Sequence, residues 1–339
     1  MQPSLQSINA LLHTLHTNPS HLPINTLAQV ISQPPLQTTS LITYLQSQGC
    51  TFDHHPQLGY RLLHTPISFW TDYLEFRTHT PHNFLVYNTT ASTQDTAKQL
   101  IALEQASQSN LHNTVIIAGN QTAGRGRLGR KWISPTNTAI TLSIIRQSPA
   151  NESEQAANVL TFAASVAVAR TVDHFLAGSS HHAHIKWPND IWVNRRKIAG
   201  ILVETLPAPT TGPTPQTGHA ILGIGLNVSL QEHQIPQTLR DQNNYTPTSL
   251  SILGKSVDRL PVLAHLISEL DIALSQSNTP QLLASWRKRC LQFNQTVRCK
   301  TGNQTFAGTV VDLDPKLGLI LRNHLGQLTH LPAQTTTLL

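Results

Sequence analysis

Two short runs concentrate the reactive side chains of this chain. The first is Gly124-Arg125-Gly126-Arg127-Leu128-Gly129-Arg130-Lys131-Trp132, in which cations alternate with glycines. No carboxylate occurs between Gln105 and Asn151, so neighbours along the chain cannot neutralise those charges. Glycine-rich backbone costs entropy to order and like charges resist condensation. The stretch therefore predicts a mobile loop that orders around an anion, with backbone N–H groups and guanidinium forks on phosphate oxygens. The second run is Lys186-Trp187-Pro188-Asn189-Asp190, at the end of a short strand-like segment. Lys186 is suited to bridge a carboxylate and a phosphate, and Asp190 to hold Mg²⁺ or accept a proton. Ala199-Gly200 within an apolar strand, and Gly223-Ile224-Gly225 beside Asn227, imply that a ligand approaches the backbone there.

Other patterns carry less. Gly124, Gly126 and Gly129 satisfy G-x-G-x-x-G, but Ile133-Ser134-Pro135 leads into strand-like Ala139 to Ile145 where a dinucleotide fold needs a helix. Gly119 and Gly124 have P-loop spacing, yet Arg125-Gly126 stands where Lys-Ser/Thr belongs. His181, His182 and His184 follow Gly178-Ser179-Ser180 without a nearby carboxylate, which reads as a solvated loop and not a metal site. Cys50, Cys290 and Cys299 form no CxxC pair, excluding a zinc ribbon and pointing to a reducing, cytoplasmic setting. Trp286 reads as a core anchor of its helix. No Ser-His or Cys-His constellation stands out, so chemistry by positioning and charge neutralisation is expected.

The elements that must hold these groups fall into three sections. In residues 1–66, Ile8, Leu11, Leu12 and Leu15 share one helical face, and Leu27 to Ile31 and Leu36 to Gln48 give two more helices. Thr51-Phe52-Asp53 and Gly59 to Leu63 then read as a two-stranded wing, completing a winged helix-turn-helix. Residues 80–290 read as mixed α and β. Thr96 to Gln108, Glu152 to Phe175, Val257 to Ser275 and Gln281 to Cys290 are helical. Val115 to Ala118, Ala139 to Ile145, His184 to Lys186, Ile191 to Val193, Ile198 to Val203 and Ile221 to Val228 are strands. Leu206 to Gly218, rich in Pro, Thr and Gly, reads as an exposed loop. Residues 291–339 hold short strands at Thr296 to Cys299, Thr305 to Val311, Gly318 to Arg322 and Leu328 to His330, spaced like a small β-barrel. No apolar run reaches the ~18 residues of a membrane span, and Met1 to Gln6 lacks signal-peptide features.

Taken in order, Ser92-Thr93-Gln94, Gln121 to Trp132, Lys186 to Asp190, Ala199-Gly200 and Gly223 to Asn227 resemble the motifs of biotin protein ligases. The likeness spans almost the whole chain and matches the form with an N-terminal winged helix and a C-terminal SH3-like barrel. It implies an α+β fold with a class II aminoacyl-synthetase-like catalytic domain. It implies an enzyme that makes biotinyl-5'-AMP from biotin and ATP with Mg²⁺, then biotinylates a lysine of a carboxylase's biotin carboxyl carrier domain. Ser92, Thr93, Gln94, Gln121, Gly124, Arg125, Gly126, Arg127, Lys186 and Gly200 would surround biotin. Arg125, Arg127, Arg130, Lys131, Trp132, Asn189 and Asn227 would serve ATP, with Trp132 on the adenine. Lys186, Arg125 and Asp190 would be catalytic, Asp190 also being the candidate Mg²⁺ ligand. The family's usual Asp-Ser-Thr-Asn is Ala91-Ser92-Thr93-Gln94 here, so one side-chain anchor is lost while both hydroxyls remain. A lipoate-type ligase is the alternative within the same fold, and a homodimer is compatible with the resemblance.

Charge speaks against the other alternative, a DNA-binding operon repressor. All 23 Lys and Arg lie beyond residue 60, and Leu36 to Leu45, the presumed recognition helix, carries no cation. Affinity for DNA comes largely from phosphate neutralisation, so DNA binding by this section is not expected.

Overall fold

A computed structural model of the chain describes residues 3–78, 80–107, 110–149, 153–207, 217–237 and 246–339. The N-terminal helices are α1 (Leu5–Thr17), α2 (Ile24–Val30) and α3 (Pro35–Ser47). Ser4 caps α1 by accepting the Ser7 N–H, and Pro35 opens α3 where a missing N–H is harmless. Their packed faces are those the periodicity marks, with Leu11, Leu12, Leu27, Ile42 and Leu45 fully buried. An antiparallel hairpin follows, β1 (Thr51–His55) with β2 (Gly59–His64). Gly59 is obligatory there: its φ is +95° and a Cβ would lie 2.0 Å from the Leu22 carbonyl oxygen.

The connection after residue 66 holds a helix that the sequence reading passed over, α4 (Trp70–Arg77). Its Trp70 and Tyr73 are buried against α1 and the large central unit. That unit is a seven-stranded sheet in the order β3-β4-β5-β9-β8-β7-β6. The strands are β3 (Asn83–Thr90), β4 (Thr114–Gln121), β5 (Ala139–Pro149), β6 (His184–Lys186), β7 (Asp190–Val193), β8 (Arg196–Leu206) and β9 (Thr217–Asn227). Among the described strands of this sheet only β3 and β4 pair in parallel, with α5 (Thr93–Ser107) between them in sequence. Leu206 and Thr217 end and begin strands, and most of the expected loop between them lies outside the described residues.

The two faces of this sheet differ. One packs on the long helix α6 (Ser153–Phe175) and on α7 (Arg259–Ser275), burying Ile140, Leu142, Ile144, Ile201, Leu222 and Ile224. Each such side chain contributes about 1.5–3 kcal/mol on burial. The small Ala163, Ala164 and Ala167 of α6 allow close approach. The other face is covered by α5 alone, through Ala97 and Ile101 on Ile116, Ile145 and Ile221. The rest of that face is open to the site.

After α8 (Pro280–Arg289) comes a five-stranded antiparallel sheet ordered β13-β12-β11-β10-β14. Its strands are β10 (Thr296–Thr301), β11 (Gln304–Asp314), β12 (Gly318–Arg322), β13 (Leu328–Leu331) and β14 (Thr336–Leu338). The fifth strand, β14, was not foreseen. Cys50, Cys290 and Cys299 are free and buried, and burial pushes their thiols up to about 12, 12 and 11. No helix among the described residues is long and apolar enough to cross a membrane.

Candidate active site

Residues directly opposite each other in antiparallel strands project to one face. The register therefore lays Lys186, Asp190, Gly200, Gly225 and Thr141 in one row across β6, β7, β8, β9 and β5. Two residues along, Leu202, Gly223 and Ser143 form a second row on the same face. The glycines hollow the middle of this surface into a trough. At its far side Ser92-Thr93-Gln94 opens α5 and Gln121 ends β4. These groups enclose a cavity of about 330 Å³.

A bulge adds a residue that sequence reasoning missed. Pairing between β7 and β8 shifts between Ile191 and Trp192, so Trp192 opposes Lys197 while Ile191 opposes Ala199. The extra residue re-aims Lys197 onto the trough. Its Nζ lies 2.7 Å from Asp190 Oδ1, and Lys186 Nζ lies 3.9 Å above the Trp192 ring. Burial pushes the Lys186 ammonium below the usual lysine range; Asp190 opposes that shift and Lys197 adds to it. The Asp190 carboxylate is thus engaged by a lysine. No group of three His, Cys, Asp or Glu side chains among the described residues could hold a metal ion. A Mg²⁺ ion here would have Asp190 as its protein carboxylate and would draw its other oxygens from substrate phosphates and water.

The hydroxyl end is preorganised. Gln121 Oε1 accepts from Thr93 N at 2.8 Å and from Thr93 Oγ1 at 3.1 Å, while Ser143 Oγ donates to Thr93 Oγ1 at 2.8 Å. Ser92 Oγ, Gln94 Oε1 and Trp132 Nε1 are buried on the cavity and have no hydrogen-bond partner among the described residues. Unpaired buried polar atoms are costly, and at a cavity wall they suit a polar ligand.

The basic loop is folded upon itself rather than loose as expected. Gly126 N donates to Arg130 O at 2.7 Å and Trp132 N to Gly124 O at 3.0 Å. A Cβ on Gly124 would lie 2.5 Å from the Trp132 carbonyl oxygen, so only glycine allows this closure. Charge neutralisation comes from residues distant in sequence. Arg125 pairs with Asp95 at 2.6 Å and Glu204 at 2.8 Å, and the hydrogen bond to Asp95 holds its pKa above the usual arginine value. Lys98 and Gln94 also reach Glu204, at 2.8 and 3.1 Å. Arg127 donates to Asn189 Oδ1 and to the carbonyls of Gln334 and Thr336, at 3.1, 3.0 and 2.8 Å. Burial lowers Arg127 to about 10, opposed by Asp190 and furthered by Arg130. Thr337 and Leu338 of β14 line the cavity as well, a contribution no motif announced.

The structure brings Ser92, Thr93, Gln94, Gln121, Arg125, Gly126, Arg127, Arg130, Lys131, Trp132, Lys186, Asn189, Asp190 and Gly200 around this one cavity. Gly124 stands behind the wall, against Gln121 and Trp132. Asn227 faces a separate small apolar hollow shared with Lys131, Trp132 and Lys197, and its Nδ2 donates to Thr248 O at 3.0 Å. Trp132 separates the two spaces and lies on the trough: a Cβ on Gly225 would meet its ring at 2.4 Å.

Residues 86–227 match the model of the biotin/lipoate A/B protein ligase family. The bifunctional ligase/repressor BirA of Bacillus subtilis is 30% identical over 295 residues, 84% of each chain. The biotin–[acetyl-CoA-carboxylase] ligase of Mycobacterium tuberculosis is 33% identical over 238 residues, 68% of this chain and 81% of that protein. A solved biotin protein ligase from Aquifex aeolicus, in complex with biotin and ATP, shares the fold with a TM-score of 0.56. It is 24% identical and covers 76% of this chain and 98% of that one.

Proposed function

The chain belongs to the biotin protein ligase family, and from that membership we propose that its cavity joins biotin to AMP and then hands biotin to a protein lysine. A biotin carboxylate oxygen attacks the α-phosphorus of ATP; the new P–O bond forms as the bond to the β-phosphate oxygen breaks and pyrophosphate leaves. The amine of an acceptor lysine, on the biotin carboxyl carrier domain of a carboxylase, then attacks the acyl carbon. A C–N bond forms, AMP departs and the amine loses a proton. Neither step needs a protein nucleophile, so the protein's contribution is position and charge.

One observation carries this reading: the glycine-floored trough places two lysines and an aspartate at one end and unpaired buried hydroxyl and amide groups at the other. Ser92, Thr93, Gln94 and Gln121 take the polar head of biotin, with Gly126 and Gly200 giving it room and Gly124 letting the loop close behind it. Lys186 and Lys197 neutralise the carboxylate and α-phosphate. Trp132, with Asn227 beyond it, frames the adenine, and Arg125, Arg127, Arg130, Lys131 and Asn189 form the wall along the phosphates. Asp190 orients Lys197 and faces the acceptor amine. Divalent cation, where required, arrives on the ATP phosphates. The first 66 residues are a winged helix, residues 80–290 the catalytic domain and residues 291–339 an SH3-like domain. The relatives named ligase/repressor have a second role, but the first 66 residues hold a single Lys or Arg, Arg61, which is paired with Asp53, and this argues against salt-dependent DNA binding here.

The test is mass spectrometry of a carrier domain after incubation with the protein, ATP, Mg²⁺ and biotin. A gain of one biotinyl group on one lysine is expected, and an unmodified carrier would overturn the reading. ATP–pyrophosphate exchange with biotin and lipoate separately decides between the two acids.

A further inference from the structure

At the stem of the basic loop the sheet parts. The β4–β5 ladder ends at Ala118 and Thr141, after which β4 runs on toward Gln121 beside β3, and β5 begins at Ala139 beside β9. Arg259, the first residue of α7 and 4% exposed, fills the fork. Its Nη1 donates to Gly119 O at 3.1 Å and to Ala139 O at 3.2 Å, and Nη2 donates to Asn137 Oδ1 at 3.0 Å. One guanidinium thus spans both strands where their own hydrogen bonds stop. It is itself held from the N-terminal section. The guanidinium carbon lies 4.9 Å from the Trp70 ring, and the neighbouring Asp258 accepts the Thr65 N–H at 2.6 Å. Asp258 also caps α7, fixing where Arg259 leaves the helix.

We infer that Arg259 is a positioning residue for the ligase reaction, fixing the stems of segment 121–138 and so the placement of Gln121, the basic loop and Trp132. The inference rests on the ligase reading of the cavity. Among the described residues the hydrogen bonds of the Arg259 guanidinium go to Gly119, Ala139 and Asn137, none of which lines the cavity, so it acts through the backbone it clamps. A planar fork is required, because one ammonium cannot reach two carbonyls and an amide in different directions.

The test uses the full chain, as wild type, Arg259→Lys and Asn137→Gly. The second variant removes one acceptor from an exposed position whose φ of +61° suits glycine, so it stays folded if the first does not. Hydrogen exchange of the amides of 121–138 is expected to rise about tenfold in Arg259→Lys and about threefold in Asn137→Gly, with α6 unchanged. The KM for biotin in pyrophosphate exchange should rise in step while kcat changes less than about threefold. Wild-type exchange in 121–138 in both variants, or an equal rise throughout the core, overturns the inference. Should the wild type make no adenylate, the ligase reading fails, and the exchange arm still reports on the clamp.

Discussion

Lys186 and Lys197 flank one carboxylate, and the Lys197 charge adds to burial in making the Lys186 proton easier to lose. Lys186→Ala is expected to cut pyrophosphate exchange by about two to four orders of magnitude with much less effect on biotin binding. Near-normal exchange would remove Lys186 from the mechanism. Because its pKa lies below that of an exposed lysine, the rate should fall on the alkaline side sooner than free lysine would predict. Lys197→Met removes the neighbouring charge, so the residual activity of that variant should decline at higher pH than wild type; an unmoved alkaline limb counts against the coupling. Of the two lysines only Lys186 stood out in the sequence, through its Trp-Pro-Asn-Asp context. Lys197 sits in what reads as a regular strand, and nothing in Arg196-Lys197-Ile198 announces the bulge that turns it inward. Asp95 and Glu204 were hidden for a related reason: ion pairs across 30 and 79 residues have no local signature.

Among the elements, those with strong periodicity were legible and those shaped by tertiary contact were not. The helices α1, α3, α6 and α7 lie close to where the apolar spacing puts them. The helix α4 is short, with apolar residues on more than one side, and it forms because Trp70, Tyr73 and Leu74 are buried from several directions. Strand β14 is three residues long and exists through pairing with β10. Its position matters for the loop, since Arg127 donates to the Gln334 and Thr336 carbonyls beside it. Arg127→Gly should let biotinyl-adenylate escape and biotinylate bystander lysines, and ending the chain at residue 331 should do the same. Gel-filtration recovery of bound adenylate checks both; retention equal to wild type in either variant would show that the loop closes without β14. The trough makes a complementary case. Gly225→Ala forces the Trp132 ring to move, so the KM for ATP should rise at least about tenfold, whereas a normal KM would place the adenine elsewhere.

For the molecule as a whole, two partly buried histidines tie stability to pH. Burial lowers His16 and His265 to about 4 from 6.5. Between those values the unfolded chain binds more protons, so stability is full above about pH 6.5 and is lost as pH falls toward 4. Melting temperatures should drop across that window, and His16→Gln should blunt the drop; a flat wild-type curve would contradict it. His16 also bonds Thr65 at 3.1 Å, so acid should loosen the N-terminal section first. That section poses the clearest question of partner. A selection from random duplexes at about 0.1 M salt should recover no sequence, and one bound tightly with steep salt dependence would show that neutral side chains suffice. The three deeply buried thiols have a practical corollary. With all three thiols shielded and hard to ionise, the protein should be silent to maleimides at neutral pH. A cysteine placed at Leu128, 66% exposed on the crest of the basic loop, would then be a single address for a fluorophore, and loop movement could be watched optically during turnover.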